Sequence, residues 1–419
     1  MASMTKTVIR KAWRLIPKHL RRKLRRSVNH AKGYLQARLA HYEPSRLRAP
    51  AGTPVVVAGL FQNASGLGEA ARSTYRALRA AGIQPVAVDL TESFGRIDMK
   101  TDIPLSELPA DKQGTLILHV NGRETLIALK RLDYLRGRSW RVIGYWAWEL
   151  PTFPPGWERS FALVSEIWTL SPYAKESLCQ HHAAPTIHSF PIAVSPPFGV
   201  GPDRPRLGMT AGVFTVLIMA DTLSSFGRKN PLGAIQAFRA AFGERRDCEL
   251  IVKTRNLESR PAAERALREA VGEGRNIRII DAALTDHDKW SLLASVDALL
   301  ALHRAEGFGL VCAEAMALGK PVIATGWSGN MSFMTEETGL LVRFDLVPVE
   351  DPFGVYDKSS WAQPDLQHAA MHLRRLRNDS AFASRIGKSA KHRIGKICDP
   401  NEIGTKMAAA LAMPPGAGG

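Results

Sequence analysis

The stretch HRAEGFGLVCAEAMALGKPVIA, residues 303–324, decides the reading of this chain. Before it, Ala298–Leu302 is an apolar run with the length and composition of a buried strand. At its end, Pro321–Ala324 is another. Between them Gly307 and Gly309 mark a loop, and Leu310–Leu318 has the composition of a helix. A strand, a glycine loop and a helix in this order leave free backbone N–H groups and the positive end of the helix dipole pointing out of the turn, a place where a diphosphate can bind. The glycines let a ligand come close to the backbone. Glu306 and Glu314 are eight residues apart, which separates them by two helical turns. One carboxylate can accept hydrogen bonds from sugar hydroxyls and the other from a ribose diol.

Working outward, the same alternation covers most of the chain. Val55–Leu60, Pro85–Leu90, Thr115–Val120, Arg141–Trp146 and Ile167–Leu170 read as short strands, and Gly66–Ala81 as a helix closed by Gly82. A Pro- and Gly-rich tract over 191–212 reads as a linker between domains. Beyond it Phe214–Ala220, Glu249–Lys253 and Ile277–Ile280 are strands, while Pro231–Phe242 and Lys289–Val296 are helical. Strand–helix alternation of this kind is the signature of a parallel sheet wrapped by helices. The expected fold is α/β, with two Rossmann-like domains over 51–195 and 205–385 facing each other across a cleft. Residues 386–419 are set apart as a C-terminal helix and tail.

Composition narrows the function. The 419 residues are 45% apolar and 23% charged, ordinary values for a soluble globular protein. No run reaches the roughly 18–20 apolar residues that span a bilayer. The cysteines at 179, 248, 312 and 398 have no metal-ligand spacing and read as reduced thiols of a cytoplasmic protein. The net charge of +17 is concentrated: residues 1–50 hold 14 Lys and Arg against one acid, and the rest holds 42 against 38. Within that arm Trp13, Ile16, Leu20, Leu24, Val28, Ala31, Leu35 and Leu39 recur at helical spacing beside Arg21, Arg22, Lys23, Arg25 and Arg26. A basic amphipathic helix of this kind suits an anionic membrane surface; docking on the protein body is the alternative. It carries no nucleic-acid recognition motif.

The 303–324 stretch resembles the E-x7-E signature of the retaining glycosyltransferases of family 4, which have the GT-B fold. The resemblance includes the EGFG opening, the EAMA run with its following glycine, and the PVIA strand. It implies that Glu306 contacts the donor sugar and its leaving phosphate, that the backbone from Gly307 through Phe308, Gly309 and Leu310 holds the diphosphate beside His303, and that Glu314 holds the ribose. It implies roles for three further elements. In SSFGRKNPL (224–232) Arg228 and Lys229 neutralise the departing diphosphate, with Lys253 at the next strand end facing the phosphates. Family members carry an earlier Arg near Asp221 and Thr222, which this sequence lacks. The SGLGEAAR loop (65–72) resembles the family's N-terminal glycine loop, so Gly66 and Gly68 face the donor. His119, at a strand end, is placed near the reacting sugar.

Other readings remain open at this point. Gly66-x-Gly68-x-x-Ala71 followed by Asp89 also matches a dinucleotide fingerprint, which would make the chain a nicotinamide-dependent oxidoreductase. The loop Phe61–Ser65 is longer than that fingerprint allows. A GT-B nucleotide-sugar epimerase is a third possibility, and a non-catalytic membrane adaptor a fourth. Trp146, Trp148 and Glu149 sit at a strand end where aromatic faces suit an acceptor sugar; core packing is the alternative reading. Asp286 and Asp288 imitate a metal-binding D-x-D, but Thr285 and Asp288 have the N-cap and N3 spacing of a helix start. No metal or cofactor is therefore expected. The implied partners are a nucleotide-diphosphate sugar, a saccharide or lipid-linked acceptor, and the inner face of the cytoplasmic membrane.

Overall fold

The computed structural model describes residues 44–45, 47–95, 97–133, 138–222, 224–351, 356 and 358–413. The basic arm expected over 1–50 falls almost wholly outside the described residues.

The first domain is built from β1 (Val55–Gly59), α1 (Gly66–Ala80), β2 (Val86–Asp89), α2 (Thr91–Phe94), β3 (Gln113–Leu118), α3 (Gly122–Arg131), β4 (Ser139–Trp146), β5 (Glu166–Thr169), α4 (Pro172–Cys179) and β6 (Ile187–Ser189). Its strands form one parallel sheet in the order β2-β1-β3-β4-β5-β6. β1 is apolar throughout, VVVAG, because a parallel strand covered by helices has no wet face. Ser65 starts α1 by accepting a hydrogen bond from the Gly68 N–H, and Gly82, at φ +82°, lets the chain turn away after it.

The second domain repeats the plan: β7 (Phe214–Asp221), α5 (Phe226–Lys229), α6 (Pro231–Phe242), β8 (Cys248–Arg255), α7 (Pro261–Val271), β9 (Ile277–Asp281), α8 (Asp286–Ser295), β10 (Ala298–Ala301), α9 (Leu310–Ala317), β11 (Val322–Thr325) and β12 (Leu340–Val342). The sheet order is β12-β11-β10-β7-β8-β9, again parallel. An antiparallel pair, β13 (Phe344–Pro348) and β14 (Ser360–Pro364), follows. Strand β6, strand β12 and this pair were not legible in the sequence; the first two are only three residues long.

Three helices end the chain: α10 (Leu366–Asn378), α11 (Ser380–Ile397) and α12 (Pro400–Ala412). The last returns to the first domain and packs on α1. Gly404 permits this approach, since a Cβ there would stand 1.9 Å from the Ala77 carbonyl oxygen. Arg141 closes the end of α12 by donating to the carbonyls of Leu411 (2.9 Å) and Ala410 (3.2 Å). Its own charge is met by Glu166 at 3.0 Å, and both side chains are buried. Trp168 donates a further hydrogen bond to Glu166 at 3.0 Å. A buried ion pair is tolerable only with its spare lone pairs satisfied in this way. The C-terminal segment is thus part of the first domain's packing rather than a loose appendage.

Candidate active site

The cleft lies where the C-terminal ends of the two sheets face each other. It contains a cavity of about 400 Å³ lined from both domains, a volume within the usual range for small-molecule sites. The loop after β10 forms one wall. Gly309, at φ +93°, turns the chain into α9, so the helix begins at Leu310. Glu314 therefore stands about one turn inside the helix rather than two, because the three residues after Glu306 are spent on the loop and cap.

Close backbone packing holds that loop. Gly307 lies against the first domain: a Cβ there would be 2.8 Å from the Trp148 carbonyl oxygen, and Ser171 Oγ donates to the Gly307 carbonyl at 2.5 Å. From the other side Gly329 N–H donates to the Glu306 carbonyl at 2.8 Å, and Glu306 N–H donates to Ser328 Oγ at 2.8 Å. Glu306 consequently has little freedom.

Its carboxylate meets both residues of the Arg–Lys pair. Lys229 Nζ is 2.5 Å from Oε1, and Arg228 Nη1 is 3.2 Å from Oε2. Arg228 is buried and also donates to the Ala305 carbonyl (2.7 Å) and Ser224 Oγ (2.9 Å). Burial alone would raise the Glu306 carboxyl, but Lys229, Arg228 and His303 outweigh it and hold its pKa at about 2. Burial likewise opposes the Arg228 charge, while Tyr356, Glu306 and Glu149 reinforce it, so Arg228 is held more firmly protonated than usual. The pair comes from α5, a single turn capped by Ser225 and stopped by Asn230 at φ 52°. Asn230 also donates to the Leu302 carbonyl at 2.9 Å, tying this turn to the Glu306 loop.

Glu314 pairs with Lys289 of α8 at 2.6 Å. Burial raises its pKa against the pull of Lys289, so the two glutamates are pushed in opposite directions. Lys289 also lies 3.8 Å from Asp286. Lys253 lines the cavity and donates to the carbonyls of Thr254 (2.6 Å) and Ala282 (2.5 Å), with burial pulling its pKa down to about 8. His303 Nε2 is 2.9 Å from Asn330 Oδ1, and its ring borders the cavity. Phe308 reaches the cavity wall, yet its ring is buried and packs on Phe333 at 5.1 Å. Leu310, Gly66 and Glu69 line the same space.

Several expectations need correction. His119 does not reach the cleft. It is fully buried, stacks on Tyr145 at 4.3 Å, and is absent from the cavity lining. Its pKa is pulled down to about 3 by burial. Room for it is made by Gly59, where a Cβ would stand 2.9 Å from the His119 Cβ. Trp146 is also core, packed between Trp157 and Phe161. Of that strand end, Glu149 lines the cavity; Trp148 meets the rings of Trp157 and Tyr356 edge-on.

The dinucleotide reading also fails on geometry. Asp89 is occupied inside the protein: it accepts from Phe61 N–H (2.9 Å), Gln62 Nε2 (2.9 Å) and Thr91 Oγ1 (2.6 Å). Gly68 serves loop packing, since a Cβ there would lie 2.1 Å from the Asn63 carbonyl oxygen. Asp288 of the D-x-D motif is a helix-cap partner, with its N–H on Thr285 Oγ1 at 3.1 Å and its carboxylate paired to Arg206 at 2.8 Å.

Sequence reasoning missed Lys289, Ser328, Asn330, Tyr356 and Arg255. Arg255 follows Lys253 by two residues on β8, the spacing that puts both on one face. It pairs with Asp221 and, across the domains, with Asp98 at 2.8 Å. Asp98 in turn accepts from Ala64 N–H at 2.7 Å, at the glycine loop. An arginine thus does stand beside Asp221, supplied by the neighbouring strand.

Residues 215–352, which hold all of this wall, match the family described as Glycosyl transferases group 1. The chain carries a group 1 glycosyltransferase domain. Among curated proteins none matches the chain. Solved structures with a similar fold include sucrose-phosphate synthase from Thermosynechococcus elongatus, at 16% identity and TM-score 0.61, covering 86% of this chain and 98% of that one. Anabaena HepE in complex with UDP and glucose matches at 15% identity and TM-score 0.61, covering 86% and 99%. The pneumococcal O-GlcNAc transferase GtfA in complex with UDP and GlcNAc matches at 14% identity and TM-score 0.50, covering 71% and 56%. These likenesses extend the two-domain architecture over both halves of the glycosyltransferase. The enzyme takes its sugar from a nucleotide-sugar donor, and the Glu306 loop lies within the matched domain.

Proposed function

We propose that this glycosyltransferase moves a hexose-type sugar, with retention of anomeric configuration, from a nucleoside-diphosphate sugar to a saccharide or lipid-linked acceptor used in cell-surface polysaccharide or glycolipid synthesis. The observation that carries the reading is the contact of Lys229 and Arg228 with Glu306 beside the start of α9, on the wall of the interdomain cavity.

In this reading the diphosphate lies against the backbone of Gly307–Leu310 and the α9 N-terminus. Lys229 and Arg228 stabilise the negative charge that grows on the leaving phosphate as the glycosidic bond lengthens. Glu306 orients the donor sugar and Glu314 the ribose. The sugar passes through an oxocarbenium-like state and is attacked on the face the diphosphate leaves, and the departing phosphate takes the acceptor proton. Lys253 adds a cation on the phosphate side. Relatives solved with UDP, glucose and GlcNAc favour a uridine nucleotide among the possible donors. The acceptor approaches from the first domain, where Glu149 faces the cavity. Residues 1–50 hold the enzyme at the cytoplasmic face of the membrane. No helix among the described residues is long and apolar enough to cross one.

Thermal-shift measurements against uridine, guanosine and adenosine diphosphate sugars, with EDTA present, test the donor assignment. A ligand that binds the folded state raises the melting temperature by mass action. The reading predicts a shift with one nucleotide class that survives chelation; no shift with any of them counts against it.

A further inference from the structure

Residues 1–50 aside, the chain holds 42 Lys and Arg against 38 Asp and Glu, a net +4. Helix α11 alone contributes Arg385, Lys388, Lys391, Arg393 and Lys396 with no acid, a net +5. Everything else between 51 and 419 therefore sums to −1, and the body's positive charge is the charge of one helix.

All five side chains are exposed. Arg385, Lys388, His392 and Lys396 follow one another at steps of three and four, which lines them along one helix face. Phe382, Ile386, Ala390 and Ile394 occupy the other face and are buried. Gly387 lets that face press onto the turn after α9, since a Cβ there would lie 2.1 Å from the Gly319 carbonyl oxygen. The preceding helix α10 adds Arg374 and Arg375 and no acid, while its Arg377 pairs with Asp247 at 3.0 Å. Asp379, between the two helices, is occupied as the N-cap of α11.

Elsewhere on the surface several cations have carboxylate partners. Arg268 pairs with Glu264 (2.8 Å), Arg76 with Asp102 (2.8 Å), Arg206 with Asp203 (2.8 Å) and Arg343 with Asp365 (3.0 Å). Among the described residues none of the five α11 cations makes an ion pair. Like charges at three- and four-residue spacing repel along a helix, so this face is mildly destabilising in the free protein. An anionic surface relieves that repulsion. The row from Arg385 to Lys396 is about 17 Å long at 1.5 Å per residue, and small residues such as Ser389 and Gly395 separate the cations. Its exposed face has no aromatic platform on which a base could stack.

We infer that the exposed face of α11, centred on Arg385, Lys388, Lys391 and Lys396, is a docking surface for an anionic lipid bilayer. It is separate from residues 1–50 and independent of the donor reading. Because α11 packs on the turn that ends α9, contact along this face fixes the donor-binding domain relative to the membrane plane, close to a lipid-linked acceptor.

The test uses the full chain and vesicles of phosphatidylcholine, with or without one third phosphatidylglycerol. Four proteins are compared by flotation: wild type, Arg385→Gln/Lys388→Gln/Lys391→Gln/Lys396→Gln, a variant with Arg21, Arg22, Lys23, Arg25 and Arg26 changed to Gln, and the combination. Removing the four α11 charges is expected to raise the lipid concentration for half-binding by about tenfold or more, in the wild-type and arm-variant backgrounds alike, on anionic vesicles only. Unchanged binding in both backgrounds overturns the inference. So does a loss of affinity for a single-stranded oligonucleotide with vesicle binding intact, which would make the face a nucleic-acid surface. Each protein is also melted with and without the nucleotide sugar. The α11 variant melts no lower than wild type and keeps its donor shift, and a wild type that shows no donor shift indicts the donor assignment without touching the lipid result.

Discussion

Lys229 Nζ and Glu306 Oε1, 77 residues apart in sequence, are 2.5 Å apart in the cleft. The contact holds the Glu306 carboxylate ionised before any substrate arrives. A diphosphate entering at the α9 N-terminus meets a lysine already in place, and it finds a carboxylate that stays ionised at any ordinary pH.

That relationship sets an acid-side dependence. Glu306 is held at about 2 against an ordinary 4.5, so its carboxylate contributes stability that is complete above about 4.5 and is lost as pH falls from there towards 2. In Lys229→Met the depression shrinks, because Arg228 and His303 remain but the nearest cation is gone. Melting temperatures between pH 2.5 and 7 are expected to fall less steeply with acid in the variant than in wild type. Parallel curves would show that Lys229 does not set the Glu306 ionisation.

Lys289 orients Glu314 at the other end of the site. Lys289→Met leaves a buried carboxylate without its cation, which drives its pKa further up and weakens its hold on a ribose diol. Nucleotide affinity is expected to drop by about 1–3 kcal/mol, the scale of a charged hydrogen bond. Calorimetric titration with the nucleoside diphosphate measures it, and an unchanged Kd rejects the pairing as functional.

Arg255 and Asp98 link the two domains at 2.8 Å. Both side chains are partly exposed, so solvent screening limits the pair to a modest contribution, about 0.5–1 kcal/mol. A double-mutant cycle with Arg255→Ala and Asp98→Ala is expected to be non-additive by about that amount, since each residue also keeps a partner of its own, Asp221 and the Ala64 N–H. Additive losses would mean the two residues act separately.

Arg141 carries more weight. It satisfies Glu166 in the interior and closes the last helix through the Leu411 and Ala410 carbonyls. Arg141→Ala strands a buried carboxylate, a change that costs about 3–5 kcal/mol. Arg141→Leu/Glu166→Leu should recover part of that loss. Hydrogen exchange would report α12 amides opening early in the single variant, and a wild-type melt in Arg141→Ala would contradict the assignment.

Much of this was readable from residues alone, for definable reasons. Strand β7 and helix α6 announce themselves by an unbroken apolar run and by an Asn–Pro start, and α6 was bounded to the residue. The Glu306 loop was legible because glycine, carboxylate and helix-start chemistry coincide in one short stretch. His119 was misplaced because a strand-end residue projects to either face, and only the space left by Gly59 decides which. Arg255, Lys289 and Tyr356 were invisible because their partners, Asp98, Glu314 and Glu149, are distant in sequence. The roles of Arg255 and Tyr356 come from the packing of the two domains, and that of Lys289 from the packing of α8 beside α9, which no local pattern encodes.

Transfer at Glu306 with retention of configuration is reported by the anomeric proton. Proton NMR of the first-formed product, from the donor identified by thermal shift, is expected to show the donor's own anomeric configuration. Glu306→Ala should form that product at least about a thousandfold more slowly, the scale of losing a contact made to the transition state, while melting as a folded protein. An inverted product, or undiminished turnover in Glu306→Ala, would contradict the account.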